Sequence, residues 1–302
     1  MKIYSNPNLN KKHFNSVIAI GNFDGLHLGH QKVIKEAKQK AKKNNIPLGV
    51  MTFEPVPVMF FNKEIKNHRI NSLEQKKIQL KKIKLDFLII IKFNKKFSSQ
   101  SAEEFIKKII FKKTRCKYLY VSKNFKFGFK RRGNIKTLKK FEKKYNFKNI
   151  ITKPFKKDNK TISSTFIRKR IRLGKIQEVN KLLDRNWSVV GKVIKGSKRG
   201  RKIGFPTCNL KLNDYVIPKL GVYAVKVKSN NFYKNGIANV GYRPTFNGEN
   251  LLLETNIFGI NKNLYNKVIS INFKKFISPE KKFKNLKYLK KQIKLDIKQA
   301  SK

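Results

Sequence analysis

The feature that most constrains this chain is a change of hydrophobic period near Asp184. Before it, short apolar runs of strand length, at 16–20, 48–53, 87–91 and 118–121, alternate with helical patterns. Val33, Ile34, Ala37 and Ala41 recur on one face of a helix. Ser101-Ala-Glu-Glu104 is a capping box opening a helix that carries Phe105, Ile106, Ile109 and Ile110. Two more helices are predicted near 163–172 and 176–183. Strands separated by helices imply parallel βαβ units, hence an α/β, doubly wound parallel sheet. After Asp184 the period becomes two. Tyr223, Val225 and Val227 alternate with Ala224, Lys226 and Lys228, and Ile269, Ile271 and Phe273 alternate with Ser270 and Asn272. Asn235-Gly236 and Asn247-Gly248 are hairpin signals, because a type I′ turn needs positive φ. This half predicts an antiparallel β-barrel of about six strands, closed by a C-terminal helix with Leu286, Leu289, Ile293 and Ile297 on one face. With no internal repeat or linker tract, the change of period sets the predicted domains at 1–184 and 185–302. That agrees with a chain of 302 residues at about 150 residues per domain.

Charge is the loudest compositional signal and a poor guide to a partner. Lys and Arg number 73 against 17 Asp and Glu, a formal charge of +56. Such a balance ordinarily points to nucleic acid, whose counterions basic clusters release. Here the lysines spread through nearly every block of ten, and no basic arm or stripe stands out. The chain is also crowded with Asn, Ile and Phe, whose codons are rich in A and T, so genome drift explains the lysines better than a polyanion partner. No specific nucleic-acid partner is expected. With 39% hydrophobic residues the chain can build real cores. Two distant cysteines, Cys116 and Cys208, exclude a disulfide framework or a cysteine-rich zinc site and suit a reducing compartment. The polar N-terminus shows no signal peptide, and the longest apolar run, 87–91, is too short to span a bilayer. A cytoplasmic location without membrane association is expected.

Glycine is scarce, 16 residues in all, so its clusters are informative: three fall between Gly21 and Gly29 and four between Gly191 and Gly204. The first cluster reads Gly21-Asn-Phe-Asp-Gly-Leu-His-Leu-Gly-His30, placing Phe23, Asp24 and Gly29 where the first strand ends and a helix begins. That is the ligand crevice of an open α/β sheet, and the helix N-terminus offers unpaired N–H groups to phosphate. His27 and His30, three residues apart, can face one ligand, and positioning plus charge neutralisation suffices for in-line attack at phosphorus. The alternative is a pair of ordinary loop histidines; His13 and His68 lack this context. In the second half, Gly196-Ser-Lys-Arg-Gly-Arg-Lys-Ile-Gly204, with Gly200 and Arg201, is a basic loop suited to cradling phosphates. It is not a Walker A loop. Pro206-Thr-Cys-Asn209 follows, and on a strand Thr207 and Asn209 point the same way. They present two oxygens to a hard cation such as Mg²⁺ held with ATP phosphates. Acids are few here, and Glu254, following Leu251-Leu252-Leu253, is the best candidate base for an alcohol; pairing with a surface lysine is its plain alternative.

These segments, in this order, resemble bacterial bifunctional riboflavin kinase/FAD synthetases, whose first domain belongs to the nucleotidyltransferase superfamily. The resemblance extends through Thr52-Phe-Glu-Pro55, Asn124-Phe-Lys-Phe-Gly128, Ser163-Ser-Thr-Phe-Ile-Arg168, Gly204-Phe-Pro-Thr-Cys-Asn209, Gly221-Val-Tyr-Ala224, Asn239-Val-Gly-Tyr-Arg-Pro-Thr245 and Leu253-Glu254. The ordered set carries the specificity. It implies phosphorylation of riboflavin to FMN in a barrel kinase domain, then adenylylation of FMN to FAD, with ATP as co-substrate and a divalent cation such as Mg²⁺. His27 and His30 would stabilise the adenylyl-transfer transition state, Asn124 would place ATP or flavin, and Ser164, Thr165 and Arg168 would grip phosphates. In the kinase half Gly196, Gly200, Arg201, Gly204, Pro206 and Arg243 would line the ATP and flavin site, Thr207 and Asn209 hold the metal, and Glu254 act as base. The chain departs from the family pattern at Val56, where His is usual, and at Lys126, Phe166, Cys208 and Ser278. A monofunctional riboflavin kinase with a decayed first domain is the neighbouring alternative. Another H-x-G-H nucleotidyltransferase would not need the barrel. A basic nucleic-acid-binding protein is the alternative from a different class.

Overall fold

The computed structural model describes residues 1–157, 159–196, 199–245, 248–260 and 262–301, with the backbone alone for Arg199, Lys202, 243–245 and 248–250. The chain forms two compact units: residues 1–65 with 73–163, and residues 66–72 with 164–302.

In the first unit six strands pair in parallel: β1 (Lys2–Tyr4), β2 (Val17–Ile20), β3 (Leu48–Glu54), β4 (Phe87–Lys92), β5 (Tyr118–Ser122) and β6 (Lys148–Thr152), in the order β1-β4-β3-β2-β5-β6. All four apolar runs are strands. Each residue of β2 is buried, as a parallel strand covered on both faces requires. Val33, Ile34, Ala37 and Ala41 form the buried face of the helix Leu28–Lys43. The capping box is present, Ser101 Oγ accepting from the Glu104 amide at 3.1 Å and Glu104 Oε2 from the Ser101 amide at 2.9 Å. The helix it opens widens into π-type turns over Phe105–Thr114. Gly49 on β3 lies opposite Phe87, whose ring fills the place a Cβ would occupy. Because β2 sits between β3 and β5, the chain winds outward from it in both directions. The carboxyl end of β2 is therefore the switch point where such sheets bind ligands. A small hairpin, β7 (Lys156–Lys157) with β8 (Lys160–Thr161), follows the sheet.

The second unit is a six-stranded antiparallel sheet: β9 (Ser188–Lys192), β10 (Cys208–Lys211), β11 (Gly221–Ser229), β12 (Phe232–Thr245), β13 (Gly248–Ile257) and β14 (Val268–Pro279), ordered β10-β13-β12-β11-β14-β9. A bridge between Ile194 and Asn209 joins the two ends, so the sheet nearly closes on itself. Trp187 is buried against Phe273 at 4.6 Å and donates from Nε1 to the Ile70 carbonyl at 2.9 Å. That bond ties residues 66–72 to this unit, as do the Arg69–Asp214 ion pair at 3.3 Å and the pairing of Arg69 with Tyr215. The helices Ser164–Arg172 and Ile176–Leu183 also belong here.

One hairpin expectation is corrected. Asn235-Gly236 lies inside β12, and the β11–β12 turn is Asn230-Asn231. Gly236 is required because a Cβ there would press into the Asn256 carbonyl of β13, a close backbone approach rather than a turn. Asn247, of the other signal, lies outside the described residues. The C-terminal helix, Leu286–Ser301, has its expected apolar face only half covered; its one buried residue is Asp296.

His13 is buried beside Phe87, with Tyr4 Oη 2.7 Å from its Nδ1, and burial chiefly, with Lys12 adding, lowers its pKa below 6.5. The unfolded chain then binds the proton more readily, so this group's contribution is present above about pH 6.5 and is lost as pH falls through the lower folded value. Thermal melts from pH 7.5 to 5 should show a steeper loss of Tm for the wild type than for His13→Gln.

Candidate functional site

Each unit carries one candidate site. In the first, the chain turns at the end of β2 through Phe23, Gly25 and Leu26, all at positive φ (47°, 81° and 39°), before His27 caps the helix Leu28–Lys43. His27 Nδ1 accepts from the His30 amide at 3.3 Å. This bond places the neutral ring's proton on Nε2, which then donates. The His27 and His30 rings stack at 3.6 Å and 21°, and Phe23 stands edge-on to His30 at 5.2 Å. Gly29 makes this possible: a Cβ there would lie 3.1 Å from the His27 ring and 3.3 Å from the Ile162 carbonyl. Gly21 likewise leaves room for the Phe23 ring, and Asp24 is buried. Asn124 is exposed in the turn after β5. The structure therefore brings together Gly21, Phe23, His27, Gly29 and His30.

A residue that sequence reasoning missed holds this loop from behind. Lys76 is 1% exposed and donates from Nζ to the Asn22 carbonyl at 2.8 Å and to Thr52 Oγ1 at 3.2 Å; Thr52 donates to the same carbonyl at 3.0 Å. One carbonyl of the signature loop thus takes two side-chain donors. Among 73 basic residues, nothing in the sequence distinguishes Lys76 from its neighbours. Thr52 was legible as part of Thr52-Phe-Glu-Pro55.

Ser164, Thr165 and Arg168 lie on a helix of the second unit. Arg168 is no solvated helix charge: it is buried and donates from Nε to the His68 carbonyl at 2.7 Å. Phe166 instead receives the Arg170 guanidinium, 4.6 Å from its ring centre.

The second site is a cavity of about 910 Å³ in the barrel unit, bounded by Gly196, by Gly200, Arg201 and the segment Phe205–Thr207, by the strands and by the C-terminal helix. Gly196, Gly200, Arg201, Pro206, Thr207, Asn209 and Glu254 all line it. Strand pairing explains the convergence. Asn209 on β10 and Asn239 on β12 are both register partners of Glu254 on β13, so three polar residues stand abreast. Gly196 is needed because a Cβ would overlap the Asn209 amide, and Gly204 sits at φ 89°. Asn209 is buried, and its Oδ1 has no hydrogen-bond partner among the described residues. An orphaned buried amide oxygen beside a threonine hydroxyl suits a hard cation. Among the described residues no group of three or more His, Cys, Asp or Glu could hold a metal, so such a cation would rely on nucleotide oxygens as well. The Arg243 side chain lies outside the described residues. Cys208 is buried, which pushes its thiol pKa up to about 12 and leaves it inert.

Family models of FAD synthetase and of riboflavin kinase match residues 9–166 and 183–302. The chain belongs to the bifunctional riboflavin kinase/FMN adenylyltransferase family. It is 42% identical over 296 residues to the Buchnera aphidicola (Schizaphis graminum) bifunctional riboflavin kinase/FMN adenylyltransferase, covering 96% of this chain and 94% of that one. The Haemophilus influenzae enzyme of that name is 40% identical, covering 94% and 92%. Among solved structures, a Streptococcus pneumoniae protein described as a macrolide-efflux protein superposes with a TM-score of 0.86 at 30% identity, covering 98% and 97%. The chain is accordingly an ATP-dependent enzyme of two activities, kinase and adenylyltransferase. No helix among the described residues is long and apolar enough to cross a membrane.

In this family member, loss of the Lys76 ammonium should slacken the loop that presents His27. Lys76→Met should lower FAD formation from supplied FMN at least tenfold, by about the value of a charged hydrogen bond. Riboflavin phosphorylation by the same preparation should change less than twofold; chromatography of the flavins reads both.

Proposed function

We propose that the two sites divide the chemistry, the domain 185–302 phosphorylating riboflavin and the domain 1–184 adenylylating FMN. The observation that carries this reading is the pairing of two separately built sites: stacked histidines at the switch point of a parallel sheet, and a carboxylate among amides in a barrel cavity. In the barrel, Glu254 accepts the proton of the riboflavin 5′-hydroxyl as its oxygen attacks the γ-phosphorus of ATP and ADP leaves. A positioned base of this kind contributes roughly 10²–10⁴ in rate. Thr207 and Asn209 would hold Mg²⁺, which when bound neutralises phosphate charge. The loop bearing Gly196, Gly200, Arg201 and Gly204 cradles the phosphates and Pro206 stands in the wall, while Arg243 takes the ligand-binding role that the family pattern implies.

In the sheet domain, a phosphate oxygen of FMN attacks the α-phosphorus of ATP, the bond to the β-phosphate breaks and pyrophosphate leaves. His27, donating from Nε2, and His30 stabilise the charge that gathers on the α-phosphate oxygens. Gly21, Phe23, Asp24, Gly29 and Asn124 shape this ligand crevice. Ser164, Thr165 and Arg168 keep the phosphate-gripping role that the family pattern implies, in this reading.

Incubation with riboflavin and Mg-ATP, with FMN and FAD separated chromatographically, tests the scheme. Both products are expected. FMN without FAD would select a kinase with a decayed first domain. Absence of both, with salt-steep binding to DNA or RNA, would select a nucleic-acid-binding protein. His27→Ala should abolish FAD formation alone. Glu254→Gln should lower FMN formation at least a hundredfold while supplied FMN is still adenylylated. Asn209→Ala should raise the Mg²⁺ concentration needed for half-maximal kinase rate several-fold without affecting adenylylation.

A further inference from the structure

The polar row that carries Glu254 continues across the barrel. Asn239 on β12 pairs with Val222 on β11, and Val222 pairs with Ser278 on β14. Asn209, Glu254, Asn239, Val222 and Ser278 therefore form one row over five strands, and all five line the cavity. At about 4.8 Å per strand, Ser278 lies roughly 14 Å from Glu254 along the wall. The character of the cavity changes over that distance. Around Ser278 it is bounded by Phe283, Leu286, Leu289 and Ile293, by Glu280 and Lys281 of the segment after β14, and by Asp296 of the C-terminal helix.

Asp296 is 3% exposed, yet lines the cavity. Ser278 Oγ and Gln292 Nε2 both donate to its Oδ1, at 3.2 Å and 2.9 Å. Its Oδ2 has no donor, and the group makes no ion pair, among the described residues. Burying most of a carboxylate with no cation paired to it is costly, even in a chain of +56. An acceptor held in this way is matched to a donor supplied by the ligand.

We propose that Asp296, set by Ser278 and Gln292, is the specificity-determining acceptor for the flavin ring in the kinase site, taking its hydrogen bond from N3–H. This rests on the kinase reading above. A flavin with its 5′-hydroxyl at Glu254 extends its ring toward the Ser278 end, and oxidised isoalloxazine has a single N–H, at N3. The row of paired residues thus measures the substrate, with the base at one end and the ring acceptor at the other. Ser278, a departure from the family pattern, is the residue that positions the acceptor.

The test compares riboflavin with 3-methylriboflavin, which lacks that N–H, as kinase substrates of the full-length wild type and of Asp296→Ala. In the wild type, methylation should raise KM at least tenfold. Asp296→Ala should raise KM for riboflavin at least tenfold, leave KM for ATP unchanged and alter kcat less than threefold. It should also discriminate the two flavins less than threefold, since both the acceptor and the steric limit are gone. Adenylylation of supplied FMN by the same preparation confirms that the variant is intact. Equal KM values for the two flavins in the wild type would overturn the assignment without any variant. Full discrimination retained by Asp296→Ala would overturn it too, reducing Asp296 to a latch between helix and barrel. No turnover of riboflavin by the wild type would overturn the kinase reading and this assignment with it.

Discussion

Asn209, Glu254 and Asn239 stand abreast because β10, β13 and β12 pair in one register. A slip of a single residue would turn every side chain of the moved strand to the opposite face. Glu254 would then leave the cavity and Leu253, fully buried now, would replace it. The proposed kinase site is therefore a property of the ladder as much as of any residue in it. The same register places Ser278 at the far end of the row and gives the C-terminal helix its hydrogen-bonded point of attachment. Gly236 and Gly196 serve this arrangement by letting backbone and amide approach where a Cβ would intrude.

In the first unit the corresponding demand is backbone shape. Three residues at positive φ within the loop after β2 bring His27 to the helix start, two of them without the freedom of glycine. Such a conformation persists only where its surroundings over-determine it. Here Lys76 and Thr52 bind one loop carbonyl, the His30 amide binds the His27 ring, and Phe23 packs against Gly21 and His30. The loop is thus held by groups from three separate parts of the chain.

The charge of +56 divides into two populations. Most lysines are exposed and serve no bond in either site. A few cations are inside and individually placed: Lys76 on the signature loop, Arg168 on the His68 carbonyl, and Arg185 on Asn71. Arg185 is half-buried, and loss of solvent pulls its pKa down to about 10 despite the neighbouring Asp184 carboxylate. Asp296 is the acidic counterpart, and its position in the cavity wall gives it a use that ion pairing would have removed.

Much of this was legible in order and spacing. The four apolar runs, the helix face of Val33, Ile34, Ala37 and Ala41, the capping box and the six-stranded barrel follow from local periodicity and turn chemistry. The stacked histidines and the cavity-lining Glu254 stood out in the sequence because acids, glycines and histidines are rare in this chain. The short β1 and β6, the polar helix Leu73–Lys82 and the placing of residues 66–72 in the second unit were not legible. Their stability comes from partners remote in sequence rather than from their own pattern. Asn235-Gly236 misled because a glycine forced by close strand approach carries the same letters as a turn. Lys76 and Asp296 differ from their neighbours only in what surrounds them. Sequence determined which chemical groups exist and roughly where each element begins. Tertiary structure decided which of them are buried together, because burial and strand register are set by long-range pairing that no local window contains.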